Sequence, residues 1–131
     1  MTDSTKKFAP ETGEAIARLN ALARDCAKGG WDGCDARPIG PEAVARAEMF
    51  VQLLPPGFPV PEFAPEPDGS VSLDWIRSRD RLFSLSVGDS DQLAYAWLDG
   101  DEKGHGVESF VGQSVPERLL VLIETVTDRD E

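Results

Sequence analysis

The chain has 131 residues, 40% of them hydrophobic and 28% charged. This length and composition predict a single globular domain over residues 1–131, and no apolar run approaches the ~20 residues of a membrane-spanning helix. The formal net charge is −11, from 24 acidic and 13 basic residues, and this charge argues against binding to nucleic acid or to an anionic membrane surface.

Two amphipathic helices are predicted in the first half of the chain. After a tail over residues 1–9 that we expect to be frayed, residues 11–28 carry apolar side chains at spacings of three and four, the pattern of one helix face. Gly29 follows, and glycine readily adopts the left-handed conformation that ends a helix. A second stripe of the same kind runs from Pro41 to about Leu54, and proline is favoured as the first residue of a helix.

Three stretches in the second half of the chain, 71–75, 83–87 and 93–97, alternate apolar and polar residues with a period of two. Side chains two residues apart in a strand share a face, so each stretch has one face for a core and one for water. Turn residues separate the stretches, which is typical of an antiparallel meander. The side chains expected to face the core together are Val71, Leu73, Phe83, Leu85, Leu93 and Tyr95.

Two more strands and a third helix complete the predicted fold. A proline-rich connector is expected to form an edge strand near residues 62–64, because proline is tolerated at a sheet edge. A turn over 99–104 leads to a last strand at roughly 106–111, and a helix begins near Pro116 and ends before a frayed tail over 128–131. The predicted fold class is α+β, with an antiparallel meander of four or five strands covered on one face by three helices, in the order α-α-β-β-β-β-α.

The segment between the first two helices is the most distinctive part of the sequence. Trp31 offers a large apolar ring with one N–H donor, and Asp32 suits a turn in which its carboxylate accepts backbone N–H groups. One interpretation is a structural elbow, in which Trp31 fills the core and Asp32 fixes the turn. The other is a binding site for a ligand or partner that uses Trp31, Asp32 and Asp35. We favour the elbow, and the sequence leaves both interpretations open.

Residues 31–39, with the sequence WDGCDARPI, resemble the motif W-D-G-x-x-A-x-P-I/V of a family of small bacterial proteins with no assigned activity. The resemblance extends over about 15–122, through a helix, a proline-rich break, a Pro-Asp-Gly turn and a strand that ends in tryptophan, here Trp75. It implies a shared fold more than a chemistry. Small families of this kind often act as antitoxins, immunity proteins or other accessory partners.

No catalytic residue, metal site or cofactor is predicted. His105 is the one histidine; we expect it in a solvated loop over 101–106, without the nucleophile that a general base needs nearby. Cys26 and Cys34 match no zinc spacing, and in the absence of an export signal both are expected to be reduced thiols. His105 stays a candidate binding residue together with Trp31 and its neighbours.

The sequence therefore predicts a small acidic cytoplasmic protein that binds another protein, like an antitoxin, an immunity protein or an inhibitor, as a monomer or homodimer. The excess of carboxylates favours a partner with a basic surface. The alternative is a small enzyme or ligand-binding protein with a pocket between helices and sheet, near Trp31, Asp32 and His105. A binding protein should have a flat exposed patch, and an enzyme a concave pocket with converging polar groups.

Overall fold

Five strands form one antiparallel sheet, and three helices pack on one of its faces. The computed structural model describes residues 10–26 and 37–127. The elements in chain order are α1 Pro10–Asp25, α2 Pro41–Gln52, β1 Glu62–Pro65, β2 Val71–Ser78, β3 Arg81–Val87, β4 Gln92–Asp99, β5 Glu102–Ser109 and α3 Glu117–Thr127. The strands lie in the order β1-β2-β3-β4-β5, which confirms the predicted α+β meander, with five strands. The predicted frayed tails, 1–9 and 128–131, lie outside the described residues.

The helix-facing side of the sheet forms the core, as the alternating stretches predict. The side chains expected there are all buried: Val71, Leu73, Phe83, Leu85, Leu93 and Tyr95. The helices cover them with Leu19 of α1, Phe50 of α2 and Ile123 of α3, which are fully buried. Each helix therefore buries an apolar stripe of the kind that its sequence periodicity indicates.

A row of five aromatic rings crosses this core. Successive ring centroids lie between 5.4 and 6.2 Å apart, in the order Phe110, Phe50, Trp75, Phe83 and Tyr95. The indole N–H of Trp75 donates to the carbonyl oxygen of Pro59 at 2.9 Å, so the buried ring keeps its polar atom satisfied. The row connects α2 and the proline-rich connector to the central strands.

The last strand begins earlier than predicted. β5 starts at Glu102, directly after the turn residues Gly100 and Asp101, and Gly100 has a φ of +67°. The last strand is therefore confirmed, but the predicted extent of the turn, 99–104, and the predicted bounds of the strand, 106–111, are wrong. The reason lies in the helix-facing positions of β5, where glycines stand in place of the apolar side chains that mark the other strands.

Aromatic side chains of β4 cover those glycines. A Cβ atom added at Gly104 would lie 2.7 Å from the ring of Trp97, and one added at Gly106 would lie 2.5 Å from the hydroxyl oxygen of Tyr95. Glycine is therefore favoured at both positions, because a larger residue would force the neighbouring ring to shift. The core extends over β5 with side chains that belong to another strand.

Arg46 of α2 binds residues at the start of β4 and at the end of β5. Its guanidinium donates to the carbonyl oxygen of Phe110 and lies 3.2 Å from the carboxylate of Asp91. The guanidinium carbon is also 5.8 Å from the centre of the Phe110 ring. The N–H of Phe110 also donates to the carbonyl oxygen of Asp91 at 2.7 Å. Arg46 therefore links α2 to two residues that are themselves paired where β4 begins and β5 ends.

Replacing Arg46 with methionine should lower the free energy of unfolding by about 1–3 kcal/mol, because the half-buried carbonyl of Phe110 loses its donor. Urea denaturation measures this change. The Asp91→Asn variant is the control, since the Asp91 side chain is 61% exposed and an exposed ion pair contributes at most about 1 kcal/mol. An Arg46→Met variant as stable as the wild-type protein would contradict the role of Arg46.

Cys26 is a buried free thiol next to the end of α1. Burial, and then the charge of the neighbouring Asp25, raise the pKa of this thiol, so it is neutral at physiological pH; Cys34 lies outside the described residues. None of the helices in the described ranges has the length and apolar character to cross a membrane. Residues 10–26 and 37–127 also contain no group of three potential metal ligands.

Candidate functional site

The face of the sheet opposite the helices carries side chains that no described element buries. We call it the open face. It consists of the even-numbered side chains of β2, β3 and β4 and the odd-numbered side chains of β5, in three cross-strand rows: Ser72-Ser86-Ala94-Val107, Asp74-Ser84-Ala96-His105 and Ile76-Leu82-Leu98-Lys103. Every one of these side chains is half-buried or exposed. Their arrangement gives a broad, shallow surface with a floor of small residues.

The side of the open face nearest β1 is acidic. The carboxylate of Asp74 accepts hydrogen bonds from the hydroxyls of Ser72, at 2.7 Å, and Ser84. The hydroxyl of Ser86 donates to the carboxylate of Glu66 at 2.6 Å. The serine hydroxyls of the central strands are therefore bonded to carboxylates, and they orient these negative charges on the surface.

The end of the open face nearest the β2–β3 and β4–β5 turns is apolar. Ile76 is 57% exposed, and Leu82 and Leu98, in the same cross-strand row, are half-buried. A shallow depression of about 840 Å³ opens here, lined by Leu82, Ala96, Trp97, Leu98, Lys103, Gly104 and His105. We call the side chains of Ile76, Leu82 and Leu98 the apolar band; Val107, 56% exposed, lies two rows away on β5. A band of this kind next to carboxylates suits contact with another molecule.

His105 lies on β5, opposite Ala96 and exposed on the open face. The prediction that it sits in a loop is wrong, because β5 begins three residues before it. Its nearest hydroxyl in the same cross-strand row is that of Ser84, two strands or about 10 Å away, which is bonded to Asp74. Within the described ranges, His105 has no hydrogen-bond or ion-pair partner. It faces away from the helices, so a pocket between helices and sheet would not include it.

The other predicted site residues, Trp31, Asp32 and Asp35, lie outside the described residues, so their grouping with His105 stays a prediction. The described residues that flank this segment are anchored near the β1–β2 turn. The N–H of Arg37 donates to the carbonyl oxygen of Pro67 at 2.8 Å, and that of Gly40 donates to the carbonyl oxygen of Gly69 at 3.0 Å. This turn and His105 belong to opposite edges of the sheet.

The alternating pattern of the sequence does not predict the apolar band. Ile76, Leu82 and Leu98 lie just outside the alternating stretches, each at an even position where polar residues were expected. That break in the alternation is the signal that could have located the band. Comparisons with protein-family models, with curated proteins and with solved structures find no match to this chain. The function is therefore inferred from the open face itself.

Proposed function

We propose that this protein binds another protein through the open face, and that the partner presents a basic surface with apolar side chains. The apolar band is the observation that carries the proposal, because Ile76 is more than half exposed and lies in one row with the half-buried Leu82 and Leu98. Contiguous exposed apolar side chains rimmed by polar groups are typical of interaction surfaces. The resemblance of residues 31–39 to small bacterial proteins supports a bacterial, cytoplasmic role as an antitoxin, immunity protein or inhibitor.

Charge supports the choice of a basic partner. The net charge of −11 attracts a cationic surface from a distance, and the carboxylate of Asp74 lies in the cross-strand row next to the apolar band. Long-range attraction between exposed charges is screened by salt. The association rate constant should therefore fall steeply with ionic strength, while the dissociation rate constant changes little.

The test compares two exposed apolar residues on different surfaces. Ile76 is on the open face and Val121 is on α3, and they are 57% and 52% exposed. Affinity capture from the native organism, followed by binding measurements on the protein recovered, should show about tenfold weaker binding for Ile76→Thr, the loss expected when a buried apolar contact of an interface is removed. Val121→Thr should bind like the wild-type protein.

Threonine keeps the branched Cβ at both positions, so the strand keeps its preferred conformation. Wild-type affinity in Ile76→Thr, or equal losses in both variants, would contradict binding through the open face. Thermal denaturation of both variants, with midpoints close to that of the wild-type protein, excludes unfolding as the cause.

A second candidate function is favoured by the depression on the open face. Leu82 and Leu98 supply apolar walls, and Lys103 and His105 lie at its rim, a combination that suits an apolar carboxylate. Octanoate and decanoate should then raise the thermal midpoint of the wild-type protein but not that of Lys103→Gln. No shift with either fatty acid would exclude this candidate and leave protein binding unaffected.

A further inference from the structure

β5 is a long outer strand with few of the features that protect sheet edges. It has eight residues, contains no proline and pairs with β4 without a register shift. The opposite edge strand, β1, has four residues, ends in Pro65 and packs against α1. Short length, proline and a covering helix all discourage pairing with another chain. Among the elements in the described ranges, β5 is therefore the edge that is open to an added strand.

The hydrogen-bonding groups along this edge follow from the register. The N–H of Phe110 donates to the carbonyl oxygen of Asp91 at 2.7 Å, in the register that pairs β4 with β5. Bonded and non-bonded pairs alternate along an antiparallel ladder, so the even-numbered residues of β5 are bonded to β4. The N–H and C=O groups of Lys103, His105 and Val107 consequently point outward from the sheet.

Resting on the proposed function, we propose that an extended basic segment of the partner protein pairs with β5 and continues the sheet as a sixth strand. Strand addition of this kind uses main-chain hydrogen bonds for affinity and alternate side chains for specificity. Apolar residues of the added strand would lie on the open face, beside Val107 and close to the apolar band. Lysine or arginine residues would lie on the other face.

The preference for basic residues comes from the helix-facing side of β5. Glu102 and Glu108 flank Gly104 and Gly106 there, so the edge carries two carboxylates with no β5 side chain between them. Opposite charges on neighbouring strands stabilise the pair, and like charges destabilise it. A segment that alternates apolar and cationic residues therefore matches both faces of the edge.

A second copy of this chain matches the edge less well. Each copy has a net charge of −11, which opposes self-association. In the antiparallel register centred on His105, Glu102 of one copy would lie opposite Glu108 of the other. The like charges in this register destabilise the pair, so we assign the edge to a basic segment of a different protein.

The test uses a synthetic peptide of alternating lysine and valine with blocked termini, and a peptide of alternating glutamate and valine as its control. In the free protein, the amides of Lys103, His105 and Val107 should exchange rapidly with solvent, and those of Gly104, Gly106 and Glu108 slowly. The lysine peptide should slow exchange at the three outward amides by about tenfold or more, and the glutamate peptide should not. No protection by the lysine peptide would overturn the proposal.

Two variants of Val107 distinguish main-chain pairing from side-chain contact. Val107→Pro removes an outward N–H, a change that an edge strand tolerates, and Val107→Thr keeps the donor and the branched side chain. Binding of the lysine peptide should weaken about tenfold in the proline variant and stay near wild type in the threonine variant. Equal binding by both would overturn strand pairing. If the proline variant does not fold, the same test uses a lysine peptide with N-methyl groups on alternate backbone nitrogens, which cannot donate along one side of the strand. This peptide should not protect the outward amides of β5.

The failures of the two proposals are distinguishable. If Ile76→Thr weakens binding of the captured partner and Val107→Pro does not, the open face binds and the edge pairing is wrong. If neither variant weakens that binding, both proposals are wrong. A doubled molar mass in solution, lost in Val107→Pro but retained in Val107→Thr, would identify a second copy as the occupant of the edge and also overturn the assignment.

Discussion

Leu85→Ala should lower the free energy of unfolding by roughly 2–5 kcal/mol, the cost of removing a large aliphatic side chain from a packed core. Leu85 is 1% exposed and lies in the centre of the sheet, between Leu73 of β2 and Tyr95 of β4. Strands on both sides limit how far the structure can relax around the cavity. Urea denaturation monitored by tryptophan fluorescence measures the loss.

The matched control is Leu82→Ala, the same substitution in the same strand on the open face. Leu82 is only half-buried, and substitutions near the surface usually change stability by about 1 kcal/mol or less. The comparison therefore reports which side of β3 faces the helices. A larger loss for Leu82→Ala than for Leu85→Ala would reverse the assignment of the two faces.

Gly106→Ala should lower the free energy of unfolding by about 1–3 kcal/mol, because the added methyl group overpacks the space filled by Tyr95. The new Cβ would lie 2.5 Å from the hydroxyl oxygen of Tyr95. That ring has little freedom to move, since it stacks on Phe83 with centroids 5.7 Å apart. Its hydroxyl also accepts a hydrogen bond from Arg118 at 3.1 Å.

The same substitution at Gly13 should have the opposite effect on the free energy of unfolding. A Cβ added at Gly13, within α1, would have no atom within 4 Å. Alanine should therefore raise the free energy of unfolding by about 0.5–1 kcal/mol, because it is the better helix former. A neutral effect at Gly106 would show that Tyr95 does not cover β5, whatever the result at Gly13.

The central strands could be predicted from the sequence because the stretches 71–75 and 83–87 alternate without exception. In Val71–Trp75 and Phe83–Val87 every core-facing position is large and apolar, and every other position is polar. A register slip of one residue would expose the whole apolar set, so the pattern determines the face. The helices were equally accessible to prediction, and α1 and α2 end within three residues of their expected ends.

β5 could not be located in this way, since its contribution to the core comes from other strands. Its helix-facing positions are Gly104 and Gly106, flanked by glutamates, and the apolar surface above them belongs to Tyr95 and Trp97. The sequence of one strand does not show that side chains of the neighbouring strand cover its glycines. The same error placed His105 in a loop and hid the outer edge of the sheet.

Long-range contacts also could not be predicted from the sequence. Arg46 bonds to a carbonyl 64 residues away, and nothing in its local pattern distinguishes it from other helix-surface arginines. The apolar band is different, because Ile76, Leu82 and Leu98 each break the alternation of their strand. Their common location became evident only when the register placed them in one row across β2, β3 and β4.

The most direct test of binding through the open face is methyl NMR on the complex with the captured partner. The methyl signals of Ile76, Leu82 and Leu98 should shift or broaden when the partner is added. Those of Val121, exposed on α3 on the other side of the molecule, should remain unchanged. Changes confined to Val121 and the helices, with the signals of the apolar band unaffected, would contradict the proposed function.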